Sequence, residues 1–308
     1  MRRVFIDGQA GTTGLKLRDR LERRGDIKLL TIDPALRKDP IERARLMNAA
    51  DAVFLCLPDD AAREAAALVT NPNVVILDAS TAHRTNAGWT YGFPELSNDR
   101  RAAIAAAKRI AVPGCHATGF IALVAPLIAE GWLPPDALIS CHSLTGYSGG
   151  GSKMIAEYEA SDRSSSLDAP RPYGLSQMHK HLPEMTKIAG LSSPPIFNPI
   201  VCDFFAGMIV SVPLHAADFA RSITIGALGE FFRSYYQGAR FVRVEPAPSD
   251  GFISANSLAG SNDLVIYVTG CDERVTIAST FDNLGKGASG AAMQCMNIAL
   301  GFDEDAGF

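Results

Sequence analysis

The sequence predicts an α/β protein: a doubly wound parallel Rossmann-type sheet plus a second α+β catalytic domain with a mixed, largely antiparallel sheet. Three observations predict it. Over the first hundred or so residues, short continuous apolar runs alternate with amphipathic stretches, the pattern of parallel strands covered by helices on both faces. A glycine-spaced turn, "GQAGTTG" (8–14), follows the first apolar run directly. Beyond residue 115 the strand-like segments alternate apolar with polar residues, as antiparallel strands with one wet face do.

In chain order, "RVFID" (3–7) reads as a buried strand and "GLKLRDRLERRG" (14–25) as a helix with leucines on one face and a glycine stop. "IKLLTID" (27–33) is the next strand, "PIERARLMNAA" (40–50) the next helix, and "DAVFLCLP" (51–58) a nearly continuous apolar strand. "DDAAREAAALV" (59–69) follows as an Asp-started helix and "NVVILDAS" (73–80) as a strand. Right-handed crossovers between parallel strands then require the doubly wound arrangement. The texture changes at "CHATGFIALVAPLIAEG" (115–131), one long helix. A strand-like "ALISCHSL" (137–144), a Gly-rich "TGYSGGGS" (145–152) and a Ser/Pro-rich "SDRSSSLDAPRPYG" (161–174) come next. "GMIVSVPLH" (207–215), "DLVIYVTG" (263–270) and "RVTIASTFD" (274–282) are the alternating strands, and "GASGAAMQCMNIALG" (287–301) is helical again. The expected organisation is a nucleotide-binding domain over 1–114, joined by a C-terminal helix within 285–308, and a catalytic and dimerisation domain over 115–284.

Composition narrows the function. The chain has 308 residues, 47% hydrophobic and 20% charged, enough for one large or two ordinary domains with a substantial core. A net charge of -4 argues against a nucleic-acid partner or an anionic membrane held by bulk charge. "MRRVFIDG" is far too short for a signal-peptide apolar region. The longest apolar run, "FIALVAPLIA", is broken by Pro126 and falls short of the ~18 residues of a membrane span. A cytoplasmic location is expected. The six cysteines show no C-x-x-C and are expected as free thiols in a reducing compartment.

Several constellations carry chemistry. Gly8, Gly11 and Gly14 allow a tight turn and close backbone approach, with Thr12 opening a helix whose N-terminus faces a pyrophosphate. Asp33, at the end of the second strand, stands where a ribose hydroxyl is commonly held. Arg37 and Lys38 close behind it could instead neutralise a 2′-phosphate. Cys115 follows Pro113 and Gly114 at the start of a helix, whose dipole favours the thiolate. That setting suits attack on an acyl group, with hydride then delivered to the thioester. His179 and His181 lie two apart before the Pro-Glu start of a helix, and one of them is a candidate acid–base. The H-x-H spacing also suggests zinc, but no further Cys/His set supports it, and no metal is expected. His116 follows Cys115 directly, and adjacent helical residues do not face each other, so a role as the base is not expected. Arg84, behind a strand of the first sheet, is a candidate anion ligand. "SGGGSK" (148–153) reads either as a phosphate-approaching backbone or as a flexible turn.

Together these segments resemble N-acetyl-γ-glutamyl-phosphate reductases. "VPGCHATGFIALVAP" is similar to the family's P-G-C-x-x-T-G, and "YGFPEL" (91–96) to its Y-G-x-P-E-L. "YGLSQMHKHLPE" resembles its Tyr followed by H-R-H-x-P-E, and "FDNLGKGASGAAMQCMN" its closing D-N-L-x-K-G-A. "GQAGTTG" fits its cofactor loop and "DASTAHR" its strand-end segment. The resemblance spans nearly the whole chain, whose shortness suggests the compact class. It implies Cys115 as nucleophile and His179 as acid–base, with His181 nearby. It implies an NADP(H) site at Gly8, Gly11, Thr12, Gly14, Arg37, Ser80, Gly149, Gly150, Asn283 and Lys286. Arg84, His181 and Glu184 are then substrate contacts for a small acyl phosphate, in a homodimer or homotetramer. Lys180 departs from the family's Arg, and His116 stands where an aromatic is common. Two rival readings remain at this level: a related semialdehyde dehydrogenase such as one acting on aspartyl phosphate, and a noncatalytic nucleotide sensor that kept the sheet.

Overall fold

The computed structural model describes residues 1–308 and divides into two compact units, Met1–Gly114 with Ala288–Phe308, and Cys115–Gly287. In the first unit the elements run β1 (Arg2–Asp7), α1 (Thr12–Leu21), β2 (Ile27–Leu30), α2 (Pro40–Ala49), β3 (Ala52–Leu55) and α3 (Asp59–Leu68). They continue as β4 (Val75–Asp78), β5 (Thr90–Tyr91), α4 (Asn98–Ala106) and β6 (Arg109–Ala111). The sheet order is β2-β1-β3-β4-β6-β5, and every pairing is parallel. Its central strands β3 and β4 are buried at every position, which is why they read as unbroken apolar runs. Local chemistry starts the covering helices. The Asp39 carboxylate accepts from the amides of Ile41 and Glu42 ahead of Pro40, and Ser97 caps α4 through the Arg100 amide. The two-residue β5 has no sequence signal of its own.

The second unit opens with α5 (Cys115–Ala129), then β7 (Ser140–Gly146), α6 (Gly151–Glu159), β8 (Arg171–Pro172), α7 (Leu182–Ala189) and β9 (Ile196–Cys202). After these come β10 (Met208–His215), α8 (Ile225–Tyr235), β11 (Val242–Val244), β12 (Leu264–Cys271) and β13 (Arg274–Phe281). The sheet order is β11-β12-β13-β10-β7-β9-β8. It is antiparallel except at β11–β12 and β7–β9. The Gly-rich 147–150 stretch forms a 3-10 turn that leads straight into α6.

α5 lies on β10 and β13 at unusually close range. A Cβ on Gly119 would stand 2.5 Å from Val210 and 2.7 Å from Phe281, so only glycine lets the helix seat there. Farther along, Pro126 cannot donate to the carbonyl four residues back. That carbonyl, of Ala122, instead accepts the buried Tyr236 hydroxyl at 2.7 Å, so a proline inside a dry helix leaves no orphaned acceptor. The chain ends in α9 (Gly290–Leu300), which packs into the first unit's core: Ala292, Met293, Cys295 and Met296 pack among Val4, Ile6, Phe54 and Leu77. No helix is long and apolar enough to cross a membrane.

The carbonyl contact is testable by urea unfolding. Tyr236→Phe should cost about 1 kcal/mol. In a Pro126→Ala background, where the helix supplies its own donor, the same change should cost distinctly less.

Candidate active site

In the first unit the β1–α1 turn is held by contacts that exclude any side chain at two of its three glycines. Gly8 has φ +85, and a Cβ there would stand 2.3 Å from the Cys56 carbonyl oxygen; one on Gly14 would stand 2.7 Å from the Gly8 oxygen. Gly11 differs. Its Cβ would meet nothing nearer than 3.6 Å, and as N-cap of α1 it makes no side-chain cap, with no acidic residue in the first turn. Thr12 and Gly14 fall in that first turn. The result is an uncapped, glycine-bordered helix N-terminus at the carboxyl end of β1, which fits an anionic group such as a dinucleotide pyrophosphate. Asp33 accepts from the Ala35 amide at 2.9 Å, and Arg37 and Lys38 beside it are exposed.

The end of β4 is organised by a fully buried carboxylate. Asp78 accepts from the Ser80 amide at 2.9 Å, the Ser80 hydroxyl at 2.7 Å and His83 Nδ1 at 2.7 Å, while the His83 ring stacks on Trp89. Ser80 therefore spends its proton on Asp78. The Arg84 guanidinium donates to the carbonyls of Ala79 and Val112 at 2.9 Å each. It ties the segment after β4 to the end of β6.

In the second unit, Cys115 is the half-buried first residue of α5. Beside it His116 is buried, with Nδ1 2.6 Å from Ser143 Oγ and Nε2 2.6 Å from the Tyr173 hydroxyl. Its ring also meets His179, His181 and Phe197, at centroid distances of 5.6, 5.7 and 5.3 Å. Burial, reinforced by His179, pushes the His116 pKa down to about 3. Burial, reinforced by Lys180, pushes His179 down to about 4, so both rings are neutral at ordinary pH. The His181 amide donates to His179 Nδ1 at 3.2 Å; a neutral ring that accepts there carries its proton on Nε2. His181 and Glu184 are buried at the start of α7, and His179 stands at an open groove of about 570 Å³ bordered by Met178, Leu182, Pro183 and Leu191.

The segment after β13 closes on the same helix start. A Cβ on Gly287 would stand 2.9 Å from Cys115 Cβ. Asn283 accepts from the Gly207 amide at 2.8 Å and donates to Ser148 Oγ at 3.0 Å, and a Cβ on Gly149 would stand 3.4 Å from its amide nitrogen. The Lys286 ammonium is buried, 5.8 Å from the Phe241 ring centre. Gly150 caps α6 with no side chain.

Comparison with known proteins follows the same division. Residues 13–105 match the family model described as semialdehyde dehydrogenase, NAD binding domain, and residues 115–283 match semialdehyde dehydrogenase, dimerisation domain. The chain is 46% identical to "N-acetyl-gamma-glutamyl-phosphate reductase 2" of Nostoc sp., over 99% of this chain and 98% of that protein. The chain belongs to the N-acetyl-γ-glutamyl-phosphate reductase family. A second member, from Pseudomonas putida, is 44% identical over 97% of this chain and 96% of its own. Among solved structures, aspartate semialdehyde dehydrogenase II from Vibrio cholerae superposes with TM-score 0.73 at 16% identity, covering 97% of this chain and 98% of that one. That likeness shows the fold that the reductase family shares.

Sequence reasoning does not pick out Ser143 or Asp78, nor the partners that the His116 ring takes. Ser143 and Asp78 sit in strands where nothing distinguishes them from other polar residues on a ladder. His116 was set aside because it cannot face Cys115, and indeed its ring engages β7 and Tyr173 instead. Pairing across a sheet has no local sequence signal.

Two predictions follow from this geometry. Gly8→Ala should destabilise the protein by at least about 2 kcal/mol through strain and overlap, whereas Gly11→Ala should cost about 1 kcal/mol or less; equilibrium unfolding compares them. Acid should also weaken the fold. His116 and His179 stay neutral when folded but take up protons near their ordinary 6.5 when unfolded. Between about pH 6.5 and pH 4 the unfolded chain then binds more protons, so stability is full above that window and is lost as pH falls through it. The urea midpoint should drop between about pH 7 and pH 5, and His179→Gln should flatten the drop.

Proposed function

We propose that this protein reduces N-acetyl-γ-glutamyl phosphate to N-acetyl-L-glutamate 5-semialdehyde and phosphate, with NADPH as reductant and Cys115 as a covalent nucleophile, in arginine biosynthesis. The observation that carries the reading is Cys115 at the N-terminus of a buried helix, against Gly287, in a chain 46% identical to a named reductase. In the proposed reaction the thiolate adds to the acyl carbon, the bond to phosphate oxygen breaks, and a thioester remains. A nicotinamide cofactor supplies hydride when bound. Collapse of the resulting thiohemiacetal frees the aldehyde and returns the thiolate, and the proton consumed overall leaves on phosphate. The Nε2–H tautomer of His179 gives this residue a donor's part: it stabilises the acyl oxyanion without carrying a charge of its own.

The β1–α1 turn, with Gly8, Gly11, Thr12 and Gly14, is the proposed pyrophosphate seat. Exposed Arg37, beside Lys38, supports NADP over NAD. Gly149, Gly150, Asn283 and Lys286 are proposed cofactor contacts of the second unit. Ser80 and Arg84 are proposed to act through the main chain they hold. His181 and Glu184 are the proposed substrate-side groups. Two features of the second unit support a homodimer or homotetramer: its match to a dimerisation domain and its exposed Leu175 and Met178. Six free cysteines support a reducing, cytoplasmic setting.

The decisive assay follows NADPH oxidation with N-acetyl-γ-glutamyl phosphate and, separately, aspartyl phosphate. Turnover should favour the first, and Cys115→Ser should lose at least about a thousandfold. Faster reduction of aspartyl phosphate would overturn the substrate, and a Ser variant near full activity would overturn the covalent route.

A further inference from the structure

One face of β1 carries Phe5 and then Asp7. Phe5 belongs to the buried cluster that takes Leu46 and Met47 of α2. Side chains two apart on a strand share a face, so Asp7 points toward α2 as well, at the carboxyl end of the strand. Arg43 stands one turn before Leu46 and Met47 on that helix and meets Asp7 there. Its Nη2 and Nε donate to the same carboxylate oxygen, at 2.7 and 3.2 Å. Both side chains are largely buried, 14% exposed for Arg43 and 7% for Asp7. A buried ion pair gains little over apolar side chains of the same size, so stability alone does not account for it.

The pair stands at the base of the β1–α1 turn. Gly8 follows Asp7 in the chain, and its oxygen accepts from the Gly11 amide at 3.1 Å. A Cβ on Gly14 would stand 2.7 Å from that oxygen, so the start of α1 lies against the residue next to Asp7. This is the sheet edge at which doubly wound folds bind nucleotides. Asp7 holds two of the three guanidinium nitrogens. The third, Nη1, makes no hydrogen bond and is not sealed from solvent. A donor fixed in this way loses little freedom when an anion arrives. Arg37 and Lys38, the cations on the turn after β2, are exposed and give up more side-chain freedom to hold the same charge.

We propose that Arg43 is the residue that selects NADP over NAD, its Nη1 donating to the 2′-phosphate of the adenosine ribose while Asp7 holds the other two nitrogens. The 2′-phosphate is assigned rather than the pyrophosphate because α2 follows β2, the strand whose end reads the ribose, whereas the amides at the start of α1 face the pyrophosphate. The inference rests on the β1–α1 turn being the dinucleotide seat.

The test is the ratio of dissociation constants for NADPH and NADH, read without substrate from the fluorescence of the bound dihydronicotinamide. Binding of 2′-AMP and 5′-AMP, followed by calorimetry, separates the two phosphates. Arg43→Met should reduce the preference for NADPH about tenfold, weaken 2′-AMP to the same degree and leave 5′-AMP within about twofold. Arg37→Met should move the ratio by about threefold or less. Arg43→Lys, which keeps the charge but not the fork, should lose part of the preference. A purely structural ion pair would leave the ratio alone, because both dinucleotides bind the same native state. Should Arg43→Met fail to fold with Asp7 left unpaired, the same change is made in an Asp7→Asn background and compared with Asp7→Asn itself. A wild type without preference for NADPH, an unchanged ratio in Arg43→Met, or a loss at 5′-AMP in place of 2′-AMP would overturn the role of Arg43. Failure of the seat looks different: wild-type protein would then bind neither dinucleotide, and the role of Arg43 would fall with it.

Discussion

The close seating of α5 on β10 and β13 at Gly119 is the contact on which the candidate site depends. A methyl group at that position would overlap Val210, Phe281 and Ser279, and close-packed interiors give way to such an insertion only by moving whole elements. Because the helix sits this low, its first turn comes level with β7, and His116 reaches Ser143. The second close approach, of Gly287 to Cys115, sets the helix start from the other side. The Ala122 carbonyl, left without its helical donor by Pro126, is answered by Tyr236, so that buried acceptor is not left unpaired where the helix passes the proline.

Burial has a chemical consequence in this unit. His116 and His179 are pushed to about 3 and about 4 by the loss of water, so the cluster offers oriented neutral dipoles rather than cations. Such groups polarise an acyl oxygen or steady a thiolate without the large desolvation cost of a buried charge. The same economy holds at the end of β4 in the other unit, where the fully buried carboxylate of Asp78 is met by three donors. Each of those partners shapes the segment after the strand, where doubly wound sheets bind their ligands.

Glycine serves two different purposes along the chain. Gly8 and Gly14 are excluded volume: backbone atoms already occupy the place of a side chain. Gly11, by contrast, is open toward the helix N-terminus, which is the property a phosphate seat needs. The regular spacing of the three hides that distinction, since spacing records where glycines fall and not what faces them.

The order of residues by itself determined the parallel sheet, because continuous apolar runs such as "DAVFLCLP" are stable only when buried on both faces, and β3 emerged buried throughout. It determined α5 as well, despite Pro126, and the glycine-lined turn before α1. It carried no trace of β8, β9 or α8, or of the helical turn at 147–150, whose pairing and packing partners lie far away in the chain. Cys115 and His179 were legible as candidates because motif spacing marks them. Ser143 and the true engagement of His116 were not, because a hydrogen bond across 27 residues exists only once α5 has settled on its sheet. Local sequence decides which element forms; only tertiary contact decides which polar atom on that element finds a partner.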